Sequence, residues 1–175
     1  MIEYSFSNDM KFQKGRDDSF TNFMIKCKLL PQHMAAFSDN ELKNGLKGLS
    51  NAEVEQRLTA IIRLFCCLHS RDTYIKAYTE FLAKRLLNKS LVSIEAEEQM
   101  ISKFKVECGI NTVSKMTHMF KDIETSKNTQ AEFIKYCNGS NMIQGVEFNT
   151  EILTNGQWPM EEPIICKIPE ELHNC

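Results

Sequence analysis

Cysteine and histidine are the side chains best equipped for chemistry in this chain. There are seven cysteines (Cys27, Cys66, Cys67, Cys108, Cys137, Cys166 and Cys175) and four histidines (His33, His69, His118 and His173). In the right spacing they would make a disulfide framework, a zinc site or an activated thiol. The cysteine number is odd, no Cys-x-x-Cys occurs, and no histidine has a second histidine or a cysteine at ligand spacing. Neither a disulfide framework nor a zinc site is suggested. Cys66 and Cys67 fall in an apolar helical stretch, where a free thiol packs as a small buried hydrophobe. His69 with Asp72 reads as a solvated helix junction. The phosphate-cradling GxGxxG and GxxxxGK[ST] loops are missing, as are the GxSxG and HExxH signatures. Lys84, Arg85 and Lys89 read as an exposed helix face. No catalytic residue, metal ligand or cofactor is assigned.

Composition narrows the class further. The 175 residues are 42% apolar and 25% charged, the balance of a soluble globular chain, and are enough to bury a core. The formal net charge of −2 argues against nucleic acid, which calls for a clustered basic excess. No apolar run approaches the ~20 residues of a membrane helix. Met1 to Met10 lacks the basic-then-apolar pattern of a signal peptide. The expected location is intracellular, cytoplasmic and/or nuclear, with no nucleic-acid or membrane partner.

Residues 1–141 read as helices joined by short connectors. Phe12 to Ile25 is a moderate helical candidate with Phe12, Phe20, Phe23 and Met24 as apolar members. Pro31 opens the next helix, which runs through Met34 and Phe37 to Leu42 and ends at Gly45. Ser50-Asn-Ala-Glu53 fits a capping box. Behind it Val54, Leu58, Ile61, Ile62, Phe65 and Leu68 stand at offsets of 4, 7, 8, 11 and 14, one continuous core-facing stripe. A fourth helix covers Asp72 to Leu87 with Ile75, Tyr78, Leu82 and Leu86 at helical spacing. A fifth covers Glu95 to Cys108, turning Met100, Ile101 and Phe104 inward, and Gly109 stops it. A sixth begins near Thr112 with Met116, Met119, Phe120 and Ile123, and continues or restarts through Phe133 and Tyr136. Asn138 to Asn141 breaks the pattern.

Beyond that break the period changes from helical to alternating. Val146, Phe148, Thr150 and Ile152 alternate with Glu147, Asn149 and Glu151, the signature of a half-buried strand. Asn155-Gly156 makes a turn before Trp158-Pro159, and Pro163 to Pro169 suggests a second extended segment. The expected division is a helical unit over 1–141 and the start of a strand-containing unit over 142–175.

Five stretches in register resemble the cullin family. Tyr78-Thr-Glu-Phe-Leu82-Ala-Lys-Arg85-Leu86-Leu87 resembles the family's Tyr-x3-Leu-Ala-x-Arg-Leu-Leu helix, with Asn88-Lys-Ser90 behind it. Glu97 to Gly109 resembles the next helix, including its Glu107-Cys108-Gly109 ending. Ser114-Lys-Met116 and Met119-Phe-Lys-Asp122 match the helix after that. Leu153-Thr154-Asn155-Gly156-Gln-Trp158-Pro159 is similar to Leu-Thr-Thr-Gly-x-Trp-Pro, with Asn155 in place of a threonine. Leu42 to Leu49 is most similar to the paralogue that recruits BTB-domain adaptors.

The resemblance implies a mainly α fold, a cullin helical bundle followed by the first strand of an α/β subdomain. It implies a non-catalytic scaffold of a ubiquitin ligase. Val146, Phe148, Thr150, Ile152, Leu153 and Thr154 would form a strand that pairs with a RING-box protein, and through it a ubiquitin-conjugating enzyme is held. A BTB-type adaptor would bind N-terminal repeats that lie outside this chain, as do the C-terminal winged helix and its modified lysine. Tyr78, Leu82, Arg85, Leu86, Glu107, Cys108, Gly109, Gly156, Trp158 and Pro159 would be structural. Trp158 would pack on the bundle end with its indole N–H on an acceptor. Two alternatives stay open: a truncated cullin that occupies a partner without delivering it, and the cullin-like subunit of the anaphase-promoting complex.

Overall fold

The computed structural model describes Ser7 and residues 9–140 and 149–160. Six α-helices account for most of them: α1 (Met10–Met24), α2 (Leu30–Asn40), α3 (Asn51–Cys66), α4 (Arg71–Leu87), α5 (Ile94–Cys108) and α6 (Ile110–Ser140). A single π-helical turn, Glu41–Gly45, continues α2.

Local signals set the helix ends. At the start of α3 the Ser50 hydroxyl accepts from the Glu53 amide while the Ser50 amide donates to the Glu53 carboxylate at 2.8 Å. Two orphan donors are thereby satisfied at once. Ser93 caps α5 through the Ala96 amide. Gly109 ends α5 at φ +84°, a left-handed conformation that a side chain would resist. Gly45 closes the π turn for a different reason. A Cβ there would lie 2.6 Å from the Glu41 carboxylate, which reaches past it to Arg57.

Helices α3, α4, α6 and α5 contact one another in a closed ring, and α2 lies against α4. The ring encloses Leu58, Phe65, Tyr74, Tyr78, Leu82, Met100, Phe104, Met116 and Met119. Phe104 of α5 stands edge-on to Phe65 of α3 and to Tyr78 of α4, with centroids 5.2 and 5.0 Å away. Such edge contacts add to plain burial because ring edges and faces carry opposite partial charge. The α3 stripe read from the sequence is core over Leu58, Ile61, Ile62 and Phe65, with Val54 half-buried at its start.

Four readings need correction here. Phe12, Phe20 and Phe23 of α1 are exposed, and only Met24 packs on the core, because α1 lies beside the ring rather than in it. Arg85 does not share an exposed basic face with Lys84 and Lys89; it is 0% exposed, turned into the bundle toward two carboxylates. Cys66 packs against the core but is only partly buried, and Cys67 is half-exposed. Helix α6 also runs unbroken through Asn138 and Gly139 to Ser140.

Candidate functional site

Among the described residues the bundle holds a buried ionic cluster centred on Arg85. The Arg85 guanidinium donates to both oxygens of Glu97, at 2.6 and 2.9 Å, and to Asp39 at 2.5 Å. The Tyr78 hydroxyl donates to the same Glu97 carboxylate at 2.9 Å. Tyr74, one turn away, shares a 2.7 Å hydrogen bond with Ser38. Burial works against the Arg85 charge, but Tyr78, Glu97 and Asp39 outweigh it and hold the guanidinium protonated. Burial, then Glu97, pushes the Tyr78 phenol well up, and burial pushes Tyr74 up to about 12 despite Ser38 and Arg85. Arg85, Tyr78 and Tyr74 therefore each stay in one protonation state across ordinary pH. The cluster joins α2, α4 and α5.

Three thiols, those of Cys66, Cys67 and Cys108, are held in their protonated form. Cys66 and Cys67 line an open groove of about 690 Å³ with Arg16, Arg63 and Glu107. Burial, helped by a 3.2 Å hydrogen bond to Glu107, pushes the Cys66 thiol up to about 11. Burial also raises Cys67 and Cys108. A thiol that keeps its proton is a poor nucleophile. Among the described residues no group of three or more His, Cys, Asp or Glu side chains is placed to hold a metal ion.

The candidate strand is where the structure departs most from the alternating pattern. Val146 and Phe148 lie outside the described residues, as do the 141/142 boundary and the second extended segment from Pro163. Among the described residues there is no β-strand and no α/β subdomain. Thr150 to Thr154 instead runs extended along α6, paired with side chains. The Thr154 amide donates to Asp122 at 2.8 Å. The Ser126 hydroxyl accepts from the Ile152 amide at 2.7 Å and donates to the Ile152 carbonyl at 2.9 Å. The Gln130 side-chain oxygen accepts from the Thr150 amide at 3.3 Å. Alternate residues of the segment thus meet every fourth residue of the helix.

The spacing has a simple origin. Four helical residues rise about 6 Å, and two extended residues span about 6.6 Å. Three rungs fit before the mismatch matters. A helix backbone has no free groups to offer, so only side chains can do this. The register also inverts the expected burial. Ile152 is 50% exposed, while Leu153 packs on the core and Glu151 is half-buried with Lys89 at 3.4 Å. Apolar alternation favoured Ile152 inward; Leu153, tied by the following turn to Trp158, goes in instead.

That turn closes the segment. The Gln157 amide donates to the Thr154 carbonyl, Gly156 sits at φ +77°, and Trp158 is 8% exposed. The Trp158 indole donates to Asp122 at 2.7 Å, so one carboxylate receives the indole, the Thr154 amide and the Thr154 hydroxyl. Burial pushes the Asp122 carboxyl up, yet these three donors outweigh it and hold the group below its ordinary value. Pro159 and Gly156 are exposed. At the far end of the bundle Glu107 and Gly109 are exposed and Cys108 half-buried, away from this segment's partners on α6.

Sequence reasoning missed Ser126 and Gln130, and it missed Asp39 and Glu97 as partners of Arg85. The signal for the first pair was present as polar residues at i, i+4 and i+8 beside the apolar stripe of α6. For the second there was none, since α2 and α4 meet only in three dimensions.

Comparison with known proteins follows the helices closely. A family model described as the cullin alpha solenoid domain matches residues 1–130. Cullin-3A and Cullin-3B of Arabidopsis thaliana are each 36% identical over 172 residues, covering 98% of this chain and 23% of theirs. Cullin-3 of Dictyostelium discoideum is 34% identical over 175 residues, 100% of this chain and 23% of its own. The chain spans about a quarter of the length of the curated relatives it matches.

Proposed function

The chain belongs to the cullin family, and from that premise we propose that it is a non-catalytic scaffold segment of a cullin-RING ubiquitin ligase. Its work is to bind a RING-box protein and so hold a charged ubiquitin-conjugating enzyme near a substrate. Proximity of this kind raises effective concentration without an acid, base or nucleophile in the scaffold.

One observation carries the reading: the extended segment Thr150 to Thr154 has a single occupied edge. In extended chain, successive amides point to opposite sides. Those of Thr150, Ile152 and Thr154 are taken by α6. Among the described residues nothing pairs with the backbone of Glu151 or Leu153. Such an edge supports strand addition, in which backbone hydrogen bonds give affinity and alternating side chains give specificity.

The test is a binding measurement between this chain and a RING-box subunit, with Glu151→Pro and Glu151→Ala alongside. Proline removes the outward amide of residue 151, whereas alanine removes only the side chain. We expect the parent and the alanine variant to bind and the proline variant to fail with helicity unchanged. No binding by the parent, or equal binding by the proline variant, overturns the reading. Binding that blocks ubiquitin transfer in a reconstituted reaction would give the competitor reading instead.

A further inference from the structure

A strand edge is useful to a partner only if its own chain is held straight while its outer groups stay free. We infer that Asp122, Ser126 and Gln130 are positioning residues that present residues 150–154 as a one-sided strand, so that a partner strand pairs only through Glu151 and Leu153. The inference rests on the strand-addition reading and says which residues make that site.

Three features carry it. The first is completeness. Ser126 both donates to and accepts from Ile152, which is what a neighbouring strand residue would do, and it does so with one hydroxyl. Ser126 is only 1% exposed, so water cannot substitute for it at that rung. The second is direction. Thr154, Ile152 and Thr150 meet positions 122, 126 and 130 in order, so the segment runs antiparallel to α6 with no choice of register. A shift of one residue would turn Glu151 and Leu153 toward the helix and every outward group with them. The third is anchorage. Asp122 binds the Thr154 amide and the Trp158 indole together, so the buried ring fixes the end of the strand. Gln130 ties the other end, donating to the Asn149 side chain at 2.6 Å while accepting from Thr150.

The occupied edge faces a helix that offers no further backbone groups. An incoming strand therefore has one side to choose from. Its hydrogen bonds reach two residues, 151 and 153, before the Gly156 turn ends the extended stretch.

The experiment is amide hydrogen exchange, residue by residue, on the full chain, with Ser126→Ala, Gln130→Leu and Gln130→Glu, before and after addition of a RING-box subunit. In the parent, amides of Thr150, Ile152 and Thr154 should be protected and those of Glu151 and Leu153 should exchange freely. Ser126→Ala loses both bonds to Ile152 and should speed exchange there about tenfold, leaving Tyr78 and Phe104 unchanged. Gln130→Leu should do the same at Thr150, and Gln130→Glu, which keeps the acceptor, should restore it. The RING-box subunit should then protect Glu151 and Leu153 and bind Ser126→Ala about tenfold more weakly. Equal protection along the segment, or unchanged Ile152 exchange in Ser126→Ala, overturns the inference. A parent that shows the alternating pattern but binds no RING-box subunit overturns the strand-addition reading and leaves the positioning ladder standing.

Discussion

The Arg85 cluster inside the bundle and the Asp122 ladder on α6 each tie separate stretches of chain together through carboxylates, but water reaches the ends of the ladder more freely than the heart of the cluster. Arg85 and Glu97 are 0% and 1% exposed; on α6 Ser126 is buried as well, but Asp122 and Gln130 at the two ends of the ladder are half-buried. In the interior, the attraction between the charges must offset the loss of their hydration, and the geometry has to satisfy nearly every donor. The cluster does so: Arg85 spends its guanidinium on Glu97 and Asp39, and the Tyr78 hydroxyl completes Glu97. On α6 the exchange is gentler at Asp122 and Gln130, where the rung replaces water by a side chain of similar strength. The interior cluster therefore specifies how α2, α4 and α5 dock. The ladder specifies the shape of a segment that another chain can still reach.

The largest expected effect comes from breaking the interior cluster on one side. Arg85→Ala strands the buried Glu97 carboxylate without its cation, while Asp39 keeps Lys43 at 2.8 Å, and should cost about 3–5 kcal/mol in urea unfolding. Replacing Arg85, Glu97 and Asp39 together by apolar residues of similar size should cost far less, because no unpaired charge remains. A small loss in Arg85→Ala would show that water enters the cluster and would erase the contrast with α6.

Close behind is Leu82→Ala, a few ångströms of core away on the same helix. Leu82 is fully buried, and its truncation should cost about 2–5 kcal/mol. The same unfolding measurement on Phe23→Ala should move stability by no more than about 0.5 kcal/mol, because that ring is exposed on α1. A loss below about 0.5 kcal/mol at Leu82 would contradict its buried place.

These pairs also show what could be read before the fold was known. Helix α3 was legible because apolar stripe and capping box agree over Ser50 to Leu68, and α5 because apolar spacing and glycine stop agree over Glu95 to Gly109. The family likeness was legible for the same kind of reason, five stretches standing in register. Helix α1 misled because Phe12, Phe20 and Phe23 look like a core face, and spacing alone does not say how far a face is buried. Arg85 was read with Lys84 and Lys89 as a basic surface because its carboxylates come from α2 and α5, remote in sequence. The segment after α6 was legible as extended chain but not as a chain held by side chains. Alternation implies a neighbouring strand only when no helix offers Asp, Ser and Gln at four-residue intervals.

At Asp122 the effect should be local. Three donors hold its carboxyl below the ordinary value, so its contribution is present above the unfolded value of about 3.9 and is lost as pH falls through the lower folded one. Emission from Trp158, the single tryptophan, should shift toward that of exposed indole in an acid transition below about pH 4. Asp122→Asn should remove that transition and leave helicity unchanged. A Trp158 transition that survives the substitution would mean that the ring is held by packing alone and that the ladder ends at Ser126.

The smallest effect sharpens the comparison most, because it keeps the chemistry and changes only the burial. Lys103 of α5 contacts Glu55 of α3 at 2.5 Å, no farther than Arg85 from its partners. Yet the Glu55 side chain is 53% exposed, so water already solvates the pair and salt screens it. Lys103→Met should change stability by less than about 1 kcal/mol, and raising the salt concentration in the parent should mimic much of it. Distance alone would rank the two contacts as equals; a cost at Lys103 approaching that at Arg85 would show that distance, and not exclusion of water, decides their strength.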